Sequence, residues 1–142
     1  MSSPYESADL LVKLYDLRRE ATMREARNWY FREFNPSTVD DVMTAVAGPH
    51  SGHFRMVTSY WDMAASFVLN GAIDEQMFND ATGEQLGVFA KIEAFLADYR
   101  AKTGYPNYLA NLEKVVLRRP GAKEQLATFR ERFRAMAATA GR

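Results

Sequence analysis

The chain has 142 residues, with 18 Lys and Arg against 18 Asp and Glu, two His and no Cys. That length suits one domain, and 47% hydrophobic with 25% charged residues is a globular balance rather than a disordered one. The missing cysteine excludes thiol nucleophiles, iron–sulfur clusters, thiolate zinc sites and disulfides, and fits a reducing, cytoplasmic setting.

No basic-then-apolar leader opens the chain, and its longest charge-free apolar stretch lies between Asp62 and Asp74. That is far short of the ~20 residues needed to cross a bilayer, so no membrane partner is expected.

Taken in chain order, every segment carries helical rather than alternating periodicity, and an all-α bundle of about six helices in a single domain spanning 1–142 is predicted. Ser3, Pro4 and Glu6 form a helix start with a capping box. The first helix runs long, to Phe34, before Asn35-Pro36. At ~100° per residue its apolar stripe changes sides: Leu10, Leu14, Leu17 and Ala21 share one line, and Met23, Ala26, Tyr30 and Phe34 another. Either it bends near Ala21–Arg24 or its halves pack on different neighbours.

A short helix is expected to follow with Ser37 as N-cap and Asp40 three residues on, ending at Gly48-Pro49. His53 to Asn70 is the clearest amphipathic helix, with Phe54, Val57, Tyr60, Trp61, Ala64, Phe67 and Val68 on one arc. Asp74 caps a short helix. Glu84 to Lys102 repeats the apolar pattern, and Asn107 is expected to cap the next helix. The last helix, 122–139, carries Leu126, Phe129, Phe133 and Met136 in a narrow coiled-coil-like seam. Such a seam serves either dimerisation or docking on the helix's own bundle.

Charge is divided unevenly. Residues 114–142 hold eight basic and two acidic side chains, a net of +6 that balances −6 over the rest. Arg118, Arg119, Lys123, Arg130, Arg132 and Arg134 do not share one stripe, and no nucleic-acid-binding motif accompanies them. The tail therefore reads as docking on the acidic body or as a solvated face, with an acidic partner as the alternative, and no nucleic-acid partner is expected.

His50 and His53 share a loop, but a stable metal site wants three or four ligands and the metalloprotease and di-iron spacings are absent, so no metal is assigned. The chain also has no dinucleotide fingerprint, phosphate loop or nucleophile elbow, so neither a cofactor nor a catalytic residue is assigned. On the helix from His53, Arg55 lies two turns before Asp62 on a polar arc with Ser59 and Ser66. This arc either holds a ligand in a groove, faces water, or gives Asp62 an arginine partner from the first helix.

Arg55 with Tyr60-Trp61-Asp62, Gly71 with Asp74, Tyr99-Arg100, and Tyr108 with Leu112-Glu113 together resemble an uncharacterised bacterial family of small all-helical domains of unknown function. The resemblance covers roughly residues 10–118. It implies an all-α fold and no known activity; members often carry an N-terminal membrane segment, and the family pattern tends to have Glu where Asp62 stands.

Two functions follow as expectations. The first is a cytoplasmic, non-enzymatic interaction module that self-associates through Leu126, Phe129, Phe133 and Met136. The second is a small-molecule binding protein or enzyme, with a pocket between helices built from Arg55, Tyr60 and Asp62 and walled by Trp61.

Overall fold

The computed structural model describes residues 2–140, and among these it contains helices and no strands. The helices are α1 (Pro4–Arg18), α2 (Ala21–Arg32), α3 (Val39–Ala47), α4 (Ser51–Leu69), α5 (Glu75–Ala81), α6 (Glu84–Ile92), α7 (Leu96–Thr103), α8 (Ala110–Arg118) and α9 (Ala122–Ala140). A 3₁₀ turn at Glu93–Phe95 joins α6 to α7 end to end, so eight rods stand where about six were expected.

The extra rod at the N-terminus comes from a break rather than a bend. Glu20 adopts an extended backbone, and its carboxylate accepts the N–H groups of Thr22 and Met23, both at 3.0 Å. A side chain that satisfies two orphan donors starts a new helix there. The side-switching stripe thus belongs to two helices: Leu14 is buried from α1, and Met23, Ala26, Trp29 and Tyr30 from α2, while Leu17 stands exposed.

Three other starts differ from expectation, the simplest being α4, which opens at Ser51 rather than His53. Thr38 caps α3, because the Asp41 carboxylate closes a capping box with it and also accepts the Ser37 N–H. Asn107 caps nothing: α8 begins at Ala110, after Leu109 in the left-handed conformation at φ 55°. Leucine has no side-chain acceptor to offer, and a Cβ there costs ~1–2 kcal/mol of backbone strain. The Ser3–Glu6 capping box and the Asp74 cap form as the sequence predicts.

Helix α4 is the central strut, with α2 against one flank and α8 against another. Its Val57, Ala64 and Ala65 are fully buried, the alanines letting neighbouring backbones come close. Helix α9 lies along α6, where Gly87 faces Phe31 and Phe129; a Cβ on Gly87 would sit 3.2 Å and 3.3 Å from those rings.

Candidate functional site

The four residues singled out on α4 do not converge. Arg55 and Asp62 lie on one side of the helix, and Tyr60 and Trp61 on the other, as the ~100° step requires.

On the first side, Asp62 acts at a distance along the chain. Its Oδ1 accepts the backbone N–H of Leu112 at 3.0 Å, and Asn111 donates to Oδ2 at 3.4 Å. Leu112 is the third residue of α8, so the carboxylate supplies the cap that Leu109 cannot. Nearby, Arg100 donates through Nε and Nη2 to the Tyr108 carbonyl, at 3.0 and 2.7 Å, and pairs with Glu113 at 3.1 Å. The Tyr99 and Tyr108 rings lie 4.8 Å apart, and burial pushes the Tyr108 phenol up to about 12. Arg55 is exposed beside these rings. Asp62, Tyr99, Arg100, Tyr108, Leu112 and Glu113, scattered in sequence, thus hold α8 onto α4 and tie α7 to the start of α8.

On the second side, α1, α4 and α5 enclose a cleft of about 220 Å³, walled by Leu11, Val12, Leu14, Tyr15 and Ala81. Trp61 and Tyr60 reach it from α4. The Tyr60 hydroxyl donates to the Leu14 carbonyl, and burial pushes its phenol up to about 12, with Glu84 adding to the rise and Arg18 and Arg27 opposing it. The Trp61 indole N–H donates to Glu84 at 3.0 Å. Arg27 holds the same carboxylate through Nε and Nη2, at 2.9 and 2.7 Å, and donates from Nη1 to the Arg18 carbonyl. The Arg18 guanidinium lies 5.4 Å from the ring centres of both Trp61 and Tyr15.

Glu84 and Arg18 are the functional candidates that sequence reading passed over. In sequence Glu84 is simply the residue that opens α6, and its partner Arg27 lies 57 positions away.

The seam residues turn inward for most of their length. Leu126 is buried, and Phe129 and Phe133 pack half-buried on the bundle, where the Phe133 ring lies 6.0 Å from that of Phe31. Met136 is half-exposed.

The basic tail is likewise engaged with the body. Arg118 pairs with Glu75, Arg130 pairs with Glu93 at 2.8 Å, and Arg119 donates to the Thr82 carbonyl. His50 and His53 stack with ring centres 5.8 Å apart, His50 also lying 5.0 Å from Trp29. Among the described residues no group of three or more His, Cys, Asp or Glu is placed to hold a metal. Nor is any described helix long and apolar enough to cross a membrane.

Lys91 has a tuned environment. Burial lowers its amine to about 8, beside a groove of about 420 Å³ between α6 and α9. Its three donors are consumed by the carbonyls of Phe31 and Phe34 and by Asn35 Oδ1, so it closes the end of α2 rather than offering a nucleophile.

This is an all-helical domain whose most distinctive polar side chains mainly hold helices to one another. A family described as a domain of unknown function (DUF4760) matches residues 5–119, and the chain belongs to it. Neither a curated protein nor a solved structure matches the chain. The family match spans α1 to α8 and so includes both the Asp62 cap and the Trp61 cleft.

Proposed function

We propose that the chain is a cytoplasmic, non-enzymatic helical interaction module that self-associates, and that its contact surface is the outer face of α1. One observation carries this reading. Of the eight large apolar side chains that stand exposed among the described residues, four come from the fifteen residues of α1: Tyr5 at 84%, Val12 at 67%, and Tyr15 and Leu17 at 55% each. Tyr5, Val12 and Tyr15 fall with exposed Ala8 within about 80° of one another around the helix, a stripe of the kind that a partner helix covers. The inner face of α1 is occupied by its own bundle, so the helix is apolar on two sides.

The partner that fits is a second copy. The first half of α1 carries Glu6 and Asp9, a net of −2, and the second half with its C-cap carries Lys13, Asp16, Arg18 and Arg19, a net of +2. Asp9 and Lys13 also pair at 3.0 Å within the helix. Antiparallel pairing of two α1 helices sets the acidic half of each against the basic end of the other, across a two-fold axis. Fifteen residues make a helix ~22 Å long, which offers less than the ~800 Å² per partner of a standard interface. Association is therefore weak, in the micromolar range or above. The seam expected to mediate it is taken up within the chain as far as Phe133, which leaves α1 as the better candidate.

Sedimentation equilibrium up to about 1 mM tests the proposal. The parent should dimerise. Asp9→Arg and Arg19→Asp should each be monomeric alone and should associate when mixed. A parent that stays monomeric, or a mixture no more associated than its components, overturns the reading.

A further inference from the structure

We infer that the cleft between α1, α4 and α5 binds a small carboxylate with an apolar body about the size of one ring.

The charge count at this place is unbalanced. Arg18, Arg27 and Glu84 all lie close enough to the Tyr60 hydroxyl to act on its ionisation. Glu84 is spent: Arg27 grips it through two nitrogens and the Trp61 indole N–H takes its other oxygen. Arg18 has no acidic partner among the described residues, so two guanidinium groups share one carboxylate. The surplus cation lines a cleft whose remaining walls are aliphatic and aromatic side chains of α1, α4 and α5, with Thr82 as one further polar residue.

The guanidinium is also positioned in advance. It lies equally near the Trp61 and Tyr15 rings, and the backbone it grows from is fixed by the Arg27 bond to the Arg18 carbonyl. A guanidinium packed on aromatic faces keeps its in-plane N–H groups available, and a carboxylate is the planar acceptor that matches them.

Size sets the rest of the ligand. A volume of about 220 Å³ corresponds to roughly seven water volumes at ~30 Å³ each, enough for one ring and a short acid arm. The apolar walls reward burying that ring, and the exposed Tyr15 offers it an offset or edge contact. This inference does not rest on self-association, although Val12, Tyr15 and Arg18 belong to both surfaces, so the ligand and a second copy compete for Arg18.

The test uses phenylacetate and its neutral isostere phenylacetamide, read on the indole N–H signals of ¹⁵N-labelled protein. Trp29→Phe assigns the two signals. The chain carrying Asp9→Arg, a position outside the cleft, keeps the sample monomeric. Phenylacetate should shift the Trp61 signal with saturation at millimolar concentration or below, and phenylacetamide should bind at least about ten-fold more weakly. Arg18→Gln should bring the acid down to the level of the amide while leaving the Trp29 signal in place. Should that variant lose its fold, Arg18→Lys keeps the charge without the planar fork and should fall between the parent and the amide.

Equal binding of acid and amide, unchanged binding in both Arg18 variants, or no Trp61 shift at about 20 mM phenylacetate each overturn the inference.

Discussion

Asp62→Ala should destabilise the protein by ~1.5–2 kcal/mol, and the reasoning can be checked at a single amide. Helix α8 starts after Leu109, which is left-handed and lacks a side-chain acceptor, so the carboxylate from α4 is its side-chain cap at Leu112. Removing a capping side chain costs ~0.5–2 kcal/mol, typically ~1. Loss of a negative charge at a helix N-terminus adds ~0.3–1 kcal/mol. Asp62→Asn keeps an acceptor and loses only the charge, so it should cost ~0.5 kcal/mol. For a chain of this size ~3 °C of melting temperature corresponds to each kcal/mol, giving a fall of ~5 °C for alanine and under ~2 °C for asparagine. Urea unfolding followed by circular dichroism measures both. Native-state hydrogen exchange should show the Leu112 amide losing protection in the alanine variant ahead of the α4 core. An alanine variant within ~0.3 kcal/mol of the parent, with Leu112 protection intact, would refute the capping argument.

Two further outcomes follow from packing and from titration. Gly87→Ala gains ~1 kcal/mol of helix propensity but drives a methyl between Phe31 and Phe129, where overpacking costs ~1–3 kcal/mol, so a net loss of ~1 kcal/mol is expected in denaturant melts. Repeating it in a Phe129→Leu background should soften the loss, and a stabilising Gly87→Ala would contradict the packing described. At acid pH, backbone N–H groups accepted by Glu6, Glu20 and Asp41 hold all three carboxyls below their ordinary values. Because these groups bind protons less readily in the folded chain, their contribution is present above the ordinary carboxyl range, near 4.5 for Glu and 3.8 for Asp, and is lost as pH falls through the lowered values. Melting temperature measured from pH 5 to pH 2.5 should decline less steeply in Glu20→Gln, and an unchanged slope would remove Glu20 from that account.

What could be read from the sequence, and what could not, divides along chain distance. The Ser3–Glu6 box, the Asp74 cap and the apolar arc of α4 depend on residues within a few positions of one another, and they form as expected. The break in the first helix is not legible locally, because Glu is not among the side chains that ordinarily mark a helix start. The extended backbone of Glu20 and its two accepted N–H groups make it the start of α2, and the change of stripe beside it was the available clue.

The surroundings of the candidate sites were not legible, for a different reason. Periodicity places Arg55 with Asp62 correctly, yet it carries no information about what faces them, and Asp62 meets α8 fifty positions away. Glu84 similarly meets Arg27 across 57 positions. Asp62, next to Tyr60-Trp61, invites a ligand-binding reading and Glu84 invites none, yet a long-range hydrogen bond consumes each carboxylate. Arg18 shows the converse. In sequence it is one more arginine in a charged run, and it stands out only once its neighbours' bonds have been assigned and no acid is left for it. Residues whose hydrogen-bonding capacity is already met inside the fold explain why the fold holds; the residue left over is where recognition of something outside it can begin.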